Sequence, residues 1–259
     1  MTEVCDALDS DPDDLLNYNV CLFILAKGHT NMDEKTRRVA KQRAAESAAE
    51  AVEDGQVVGL GSGSTAQFAL ERLGDRVDEG LEITGVPTSF QAREIATSAG
   101  IELTTLEEVG GSLDIAIDGA DQFAGADLIK GGGGAHAREK IVNTAADRLL
   151  IVVDSTKESD ALDIPVPVEI LSDARTTVAR SVRELGGEPT LRLAERKAGP
   201  VVTDNGNIIL DCDFGEIGDP RALAGDLASL PGVVEHGLFP GCADVIYMGT
   251  KTGVTTYRP

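Results

Sequence analysis

Two carboxylates with the spacing of a proton-handling pair occur in the segment DIAIDGAD, residues 114 to 121. The apolar run before Asp118 predicts a buried strand, and Gly119 permits a sharp turn that returns Asp121 to the side of Asp118. Carboxylates held this close raise one another's pKa, as groups that exchange protons near neutral pH require. A helix cap or a divalent-metal site is the alternative. Metal is the weaker of the two, because no His and no further acid stand at ligand spacing.

The segment KGGGGAHAREK, residues 130 to 140, carries the next candidates. Its four consecutive glycines lose much backbone freedom on folding, so they favour a loop that wraps closely around a ligand. Lys130 enters this loop, and Glu139 lies in the helix predicted to leave it. A lone Lys or Glu is usually a solvated surface charge. Here the glycines and the neighbouring carboxylates favour a functional role for Lys130 and Glu139. His136, by contrast, is expected at the surface without a role.

The segment GLGSGSTA, residues 59 to 66, predicts a phosphate site between a strand and a helix. Its small residues let the backbone approach an anion, and a helix N-terminus offers unpaired N–H groups and partial positive charge. A dinucleotide site fits less well, since the next strand ends in GVPTS without the acid that holds a ribose. A nucleotide P-loop fails because no Lys follows the glycines, and a tight strand–helix turn is the structural alternative. Lys157, after another apolar strand, adds a cation at the same edge.

Short apolar strands alternate with helices from Asp33, which can cap the first helix, to Val153. Predicted strands are 57–60, 81–86, 101–104, 113–117 and 149–153, with helices at 66–77, 90–98 and 135–146. This alternation predicts an α/β fold with a Rossmann-like, mainly parallel sheet that is covered by helices on both faces. Ligands of such sheets collect at the carboxyl ends of the strands, where all the candidate segments fall.

A different pattern follows Lys157 and predicts a second, smaller ferredoxin-like α+β domain. Prolines at alternate positions in IPVPVEI, residues 164 to 170, indicate an edge strand or a linker. The order βαββαβ is completed by a helix at 174–185, a strand at 190–196, a hairpin at 201–214 that turns at Asn205-Gly206, a helix at 219–229 and a strand at 232–238. We therefore expect a Rossmann-like catalytic domain at 33–160 and 239–259, and the small domain at 161–238.

The chain carries a formal net charge of −21, with 44 acidic residues spread along its 259 positions. Nucleic-acid binding is disfavoured because phosphate contacts need basic patches. The even spread of acids and the scarcity of Lys favour adaptation to a very salty cytoplasm over an acidic protein of an ordinary cell, since a hydrated carboxylate surface stays soluble in salt. No apolar run has the length of a membrane span, and a cytoplasmic location is expected.

The cysteines are Cys5, Cys21, Cys212 and Cys242. They form no CxxC pair and show no metal-ligand spacing with the histidines, so free structural thiols are expected. Residues 1 to 32 are rich in Asp and Asn and lack periodicity. They are expected to be either a disordered extension or the product of a mis-called start codon.

Four segments, GLGSGSTA, DIAIDGAD, KGGGGAxxREK and VVDSTK, resemble in their order and spacing those of ribose-5-phosphate isomerases of the A type. The resemblance continues through VPVEI, VARSVRELGGEP, VVTDNGNIILD and PGVVEHGLF, and it spans about Asp33 to Thr256. It implies interconversion of ribose 5-phosphate and ribulose 5-phosphate, in the non-oxidative branch of the pentose phosphate pathway. It also implies that no metal or other cofactor takes part, and that the protein is a homodimer or homotetramer.

Roles for individual residues follow from this resemblance. It implies that Glu139 is the general base, that Lys130 stabilises the enediolate oxyanion, and that Asp118 and Asp121 hold the sugar hydroxyls and assist ring opening. Residues implied to contact the substrate are Ser62, Gly63, Ser64, Thr65, Gly131, Gly132, Gly133, Lys157 and Lys41. The chain departs from the family at Gln122, where Glu is common, and at Ser62, where Thr is frequent.

Two other functions fit parts of the sequence. A non-catalytic sugar-phosphate sensor on a related fold would need a DNA-binding module, and the acidic N-terminal region supplies no basic helix-turn-helix. An aldose–ketose deaminase that acts on an amino sugar phosphate shares the general architecture. It is disfavoured because DGAD together with KGGGGA matches the pentose isomerase better.

Overall fold

The computed structural model describes residues 32 to 259, and the strands of this part form three sheets. In chain order the strands are β1 (Val57–Leu60), β2 (Thr84–Pro87), β3 (Glu102–Leu103), β4 (Ile115–Gly119), β5 (Gln122–Ala124), β6 (Asp127–Ile129), β7 (Leu149–Asp154), β8 (Val166–Ile170), β9 (Glu188–Leu191), β10 (Ile208–Asp213), β11 (Val233–His236), β12 (Leu238–Phe239), β13 (Val245–Gly249) and β14 (Val254–Tyr257). The helices are α1 (Glu34–Ala49), α2 (Ala66–Asp78), α3 (Phe90–Ser98), α4 (His136–Thr144), α5 (Arg175–Glu184) and α6 (Pro220–Ala228). The helices predicted at 66–77 and 90–98 are confirmed to within one residue.

The main sheet has seven strands in the order β14-β13-β7-β4-β1-β2-β3. Neighbouring strands pair in parallel, except that β13 and β14 are antiparallel. The predicted Rossmann-like, mainly parallel sheet is therefore confirmed, and β13 and β14 from the C-terminal part of the chain complete it beside β7. Because parallel strands end at the same edge, the carboxyl ends of β1, β4 and β7 lie side by side.

Helices α1 to α3 cover one face of the main sheet, and α4 together with the strands β5, β6 and β12 covers the opposite face. Two faces are available because side chains alternate in direction along each buried strand. Ile115 of β4 lies in one core cluster with residues of α1, α2 and α3, whereas its neighbour Ala116 lies in the cluster on the opposite face. α1 approaches the sheet so closely that a side chain at Gly249 of β13 would collide with the Ala40 carbonyl. This approach places the next residue of α1, Lys41, at the edge where the strands end.

The small sheet is antiparallel throughout and has the strand order β11-β8-β10-β9. Its strands and helices follow one another as β8, α5, β9, β10, α6 and β11. This is the predicted βαββαβ order of a ferredoxin-like module. Apolar side chains of β8, β10, α5 and α6 form one core cluster behind this sheet.

The prediction that residues 164–170 form an edge strand or a linker was wrong, because β8 lies inside the small sheet between β11 and β10. Pro167 is tolerated there for a geometric reason. The Pro167 carbonyl accepts a hydrogen bond at 2.7 Å from the N–H of Gly237, the residue that follows β11. This carbonyl therefore faces β11. The N–H and C=O of one strand residue face the same neighbour, so the missing N–H would also face that side. The β8–β11 ladder has already ended there, at the pair of Val168 and His236, so no ladder bond is lost.

A third, short sheet has the order β12-β6-β5 and connects the other two. Its β5–β6 hairpin reverses the chain after β4, and the Asp121 N–H donates to the Ile129 carbonyl at 2.8 Å. Lys130, the residue after β6, is thereby returned to the end of β4. Gln122 points away from this edge: its Nε2 donates to Asp163 at 2.7 Å, and its Oε1 accepts from the backbone N–H of Asp163 at 2.8 Å.

Residues Asp33–Pro259 form one compact unit, and the predicted extension at 1–32, with Cys5 and Cys21, lies outside the described residues apart from Met32. The division of this unit into two domains stays a prediction. Cys212 is buried in β10 and Cys242 is partly exposed, and neither forms a disulfide. In residues 32–259 no helix combines the length and apolar character of a membrane span.

Candidate active site

A buried lysine ammonium lies at the carboxyl edge of the main sheet and joins the predicted site residues. Lys130 Nζ lies 2.8 Å from Asp118 Oδ2 and 3.2 Å from Glu139 Oε2, and it also donates to the Gly119 carbonyl. Lys130 is only 2% exposed. Asp118 comes from β4, Lys130 from the end of β6 and Glu139 from the first turn of α4. The tertiary structure thus brings together three groups that are spread over 22 positions of the sequence.

The Asp118 carboxylate is fully buried and both of its oxygens are engaged. Oδ1 accepts the backbone N–H groups of Gly119 at 2.8 Å and Ser62 at 3.2 Å. Oδ2 accepts Asn143 Nδ2 at 2.8 Å and contacts Lys130. Asp118 does not line the cavity described below. The structure therefore places it behind the wall of the site, as the counter-ion of the lysine.

Asp121, in contrast, faces the cavity. Its Oδ2 accepts the Gly132 N–H at 2.7 Å, and a side chain at Gly132 would lie 2.8 Å from Asp121 Oδ1. The two carboxylates predicted as a pair consequently act on different sides. Asp118 points toward the protein interior, and Asp121 points toward the glycine loop.

Glu139 is poised to exchange a proton. Burial raises its pKa and the charge of Asp118 raises it further, while Lys130 lowers it, and the balance sets the pKa of Glu139 at about 8. Burial by itself would lower the pKa of Lys130, but the two carboxylates outweigh burial and raise that pKa, so the ammonium stays charged. The Glu139 Oε2 atom is buried, and its approach to Lys130 lacks the geometry of a hydrogen bond. An oxygen in this state is suited to take a proton from a ligand.

A cavity of about 240 Å³ opens over this group. The predicted residues that line it are Lys41, Ser62, Gly63, Ser64, Thr65, Asp121, Lys130, Gly131, Gly132, Gly133, Glu139 and Lys157. Of all the predicted site residues, only Asp118 lies outside this lining. The structure therefore brings these predicted residues together around one cavity, and their roles stay a prediction.

Two lysines line the cavity together with the loop after β1, residues 62 to 65. Lys41 Nζ donates to Ser64 Oγ at 2.9 Å, and Lys157 lines the same space. Burial lowers the pKa of Lys41, Asp154 opposes this, and the charge of Lys157 adds to the lowering because the two cations repel each other. Helix α2 begins at Ala66, directly after the loop, so its N-terminus adds partial positive charge.

Ser62 is engaged with the protein as well as lining the cavity. Its Oγ contacts Thr88 Oγ1 at 2.7 Å and donates to Ser89 Oγ at 2.6 Å, and its N–H is bonded to Asp118. Gly61 just before it has no room for a side chain, because Asp118 and the Ile117 carbonyl lie against its Cα. The loop after β1 and the carboxylate after β4 are thus one packed unit.

The prediction that His136 lies at the surface was wrong. It is fully buried, and burial lowers its pKa to about 4, so the ring is neutral. A side chain at Gly131 would lie 2.7 Å from His136 Nδ1, and Gly131 has φ +103°. Gly131 is therefore demanded by packing against His136 and by its backbone conformation. A side chain at Gly133, by contrast, would meet nothing within 4 Å.

One wall of the cavity was not predicted. It consists of Ser89, Gln91 and Val201, Val202, Thr203 and Asp204. The last four belong to the turn before β10, whose Gly206 N–H donates to the Thr203 carbonyl at 2.9 Å, in agreement with the predicted turn at Asn205-Gly206. The turn is a local signal, but its position over the cavity depends on contacts with α3 and α4, which no local pattern encodes.

Comparisons with known proteins agree on one family. The family model for ribose 5-phosphate isomerase A (phosphoriboisomerase A) matches residues 84–253. The ribose-5-phosphate isomerase A of Haloarcula marismortui is 65% identical over 216 residues, which cover 83% of this chain and 94% of that protein. Other relatives in halophilic archaea, such as Natronomonas pharaonis, agree with the salt adaptation inferred from composition.

Solved structures give the same result. Ribose 5-phosphate isomerase A of Methanocaldococcus jannaschii is 43% identical, with a TM-score of 0.82 over 86% of this chain and 100% of that one. A D-ribose-5-phosphate isomerase in complex with phospho-erythronic acid is 37% identical, with a TM-score of 0.83 over 85% of this chain and 98% of that one. On sequence and on fold, the chain belongs to the ribose 5-phosphate isomerase A family, a family of isomerases.

Proposed function

We propose that this protein interconverts D-ribose 5-phosphate and D-ribulose 5-phosphate through an enediolate, in the non-oxidative branch of the pentose phosphate pathway. One observation carries the proposal. One cavity is lined both by the cations Lys41 and Lys157 and by a buried base, Glu139, which lies within 3.2 Å of the buried Lys130 ammonium. Relatives that the chain matches over most of its length bear the name of this isomerase.

The charge distribution supports one direction of substrate binding. Lys41, Lys157 and the start of α2 suit a phosphate, because two cations and a helix N-terminus converge there. Lys130 and Glu139 suit the carbonyl end of the sugar. Asp121 lines the same cavity beside the glycine loop, where a carboxylate can hold sugar hydroxyls and assist opening of the furanose ring.

The proposed chemistry moves one proton between adjacent carbons. Ionised Glu139 takes the proton from C2 of the open-chain aldose, the C–H electron pair forms the C1–C2 double bond, and the carbonyl electrons move to O1. Lys130 stabilises the negative charge on O1 because its ammonium is fixed and shielded from water. Glu139 then returns the proton to C1 while the O2 proton moves to O1, which yields the ketose.

Asp118 receives a different role from the one implied by the resemblance. Because it is fully buried and does not line the cavity, we assign it to the lysine rather than to the sugar hydroxyls. It offsets the charge of Lys130 and leaves Glu139 as the group that changes protonation. The proposed reaction needs no metal, and residues 32–259 contain no cluster of three or more His, Cys, Asp and Glu able to hold one.

The decisive experiment is conversion of ribose 5-phosphate in molar salt, with and without a chelator, by the wild type and by Glu139→Gln. We expect metal-independent turnover by the wild type and a loss of about a hundred- to ten-thousandfold in kcat for the variant, the usual share of a general base. Glu94→Gln, at an exposed position outside the cavity, is the matched control. Binding without turnover would favour a sensor, and loss of turnover on chelation would contradict the cofactor-free reaction.

The expected homodimer or homotetramer can be tested by light scattering of the same sample.

A further inference from the structure

Asn143 lies on the same helix as the proposed base, one turn further along α4. It is 3% exposed and does not line the cavity, so it cannot contact the substrate. Its Nδ2 donates to Asp118 Oδ2 at 2.8 Å, the same oxygen that lies 2.8 Å from Lys130 Nζ. The amide and the ammonium therefore hold one carboxylate oxygen from two sides.

The orientation of the Asn143 amide is determined by Asp118. Its Oδ1 is buried and has no hydrogen-bond partner among residues 32–259, which normally costs free energy. Turning the amide over would place Oδ1 against a carboxylate oxygen, where two acceptors repel each other. Only the observed orientation, with the donor toward Asp118, is favourable. A residue required for packing alone would not need a polar group left unpaired.

The Asn143 side chain thus leaves its Oδ1 unpaired while its Nδ2 donates to Asp118. We infer that Asn143 is a positioning residue for the isomerase reaction, which aims the Asp118 carboxylate at Lys130 and thereby places the Lys130 ammonium beside Glu139. Because Glu139 and Asn143 stand four positions apart on one helix, they share a face of it, and the base and the anchor of its cation move as one body. This inference rests on the proposed function.

Its test compares Asn143→Leu and Asn143→Asp with Val142→Ala, a buried neighbour on α4 without a polar contact. For Asn143→Leu we expect kcat to fall about ten- to hundredfold, the value of a hydrogen bond to a charged group, with KM nearly unchanged. Val142→Ala should lose stability but keep the kcat and the pH profile of the folded enzyme.

Asn143→Asp places a negative charge where the donor was. The charged groups that face Glu139 are Asp118, Lys130 and Asp121, and an added carboxylate should shift the acid limb of kcat/KM to higher pH by raising the pKa of Glu139 further. A carboxyl NMR titration of Glu139, assigned with Glu139→Gln, should show the same shift without any turnover.

The outcomes separate the two proposals. If the wild type turns over ribose 5-phosphate while both Asn143 variants keep its kcat and its acid limb, the positioning role is overturned and the proposed function stands. The same conclusion follows if the variants lose only stability, as Val142→Ala does. If the wild type is inactive, the proposed function fails. An unshifted NMR titration of Glu139 in Asn143→Asp would in addition show that the charge at position 143 does not affect the pKa of Glu139, which overturns the positioning role.

Discussion

Glu169 Oε1 accepts a hydrogen bond from Asn207 Nδ2 at 2.7 Å, so a fully buried carboxylate of β8 holds the turn that forms one wall of the cavity. The same oxygen accepts Thr203 Oγ1 at 2.9 Å and Asn205 Nδ2 at 3.1 Å. From this anchored turn, Asp204 accepts the Phe90 N–H at the start of α3 at 3.0 Å. The small sheet is thereby tied to a helix of the main sheet across the mouth of the cavity.

Glu169→Gln should loosen this turn. The amide would present a donor where the turn already supplies donors, and we expect a loss of about 1–3 kcal/mol in the free energy of unfolding. KM for ribose 5-phosphate should rise severalfold with kcat largely retained, because the turn forms a wall rather than the reacting groups. Denaturant titration and steady-state kinetics in molar salt measure both. Glu188→Gln, which removes an exposed ion pair with Arg183, is the control and should change neither. A normal KM in a destabilised Glu169→Gln protein would contradict the role of the turn in the cavity.

Alanine substitutions at Gly131 and Gly133 should separate fold from ligand binding. An alanine at position 131 would have to adopt the left-handed backbone that Gly131 has, and its methyl group would collide with His136. A loss of about 1–3 kcal/mol in the free energy of unfolding is therefore expected for Gly131→Ala. Gly133→Ala meets no neighbouring atom, so its stability should equal that of the wild type. Its methyl group narrows the cavity, and KM should rise. Equal melting temperatures for both variants would contradict the structural requirement for Gly131. An unchanged KM for Gly133→Ala would contradict a role of Gly133 in ligand binding.

The pH dependence should report Glu139. Since burial and Asp118 raise its pKa to about 8, kcat/KM should rise with pH along a limb near that value rather than near 4.5. The stability difference has a defined sign, because a carboxyl whose pKa is raised in the folded protein stabilises that state only while protonated. Relative to Glu139→Gln, the wild type should lose stability progressively as pH rises from about 4.5 through about 8. A difference that stays constant with pH would show that Glu139 ionises normally.

Lys130→Met should damage both stability and catalysis. It leaves Asp118 buried without its cation, and removing one partner of a buried pair typically costs about 3–5 kcal/mol. It also removes the cation that we propose stabilises the oxyanion, and a loss of about a hundred- to thousandfold in kcat is expected. The double variant Lys130→Met with Asp118→Asn removes both charges and should recover much of the stability but none of the activity. Recovery of turnover in the double variant would show that Lys130 serves only to neutralise Asp118.

Local patterns were sufficient for most of the elements. Helix α3 begins after Ser89, whose side chain accepts the Ala92 N–H at 3.1 Å, and it has the bounds that its pattern predicted. The buried run Leu149–Asp154 was identified in the same way, because its apolar residues fill both faces of a parallel sheet. Such features depend on neighbouring residues alone, so they can be read without knowledge of the fold.

By itself, the sequence determined the chemistry available to this protein. It supplied a loop of small residues suited to an anion, two carboxylates, a lysine and a glutamate, each at the end of a buried strand or the start of a helix. Only the tertiary structure decided how these groups are used. It placed Asp118 behind Lys130 rather than in the cavity, buried His136 beneath Gly131, put β8 inside the small sheet and brought Asn143 and the Glu169-anchored turn to the site. The physical reason is that burial and hydrogen bonding of a side chain depend on segments distant along the chain, and those distant contacts raise the pKa of Glu139 into the range of a working base.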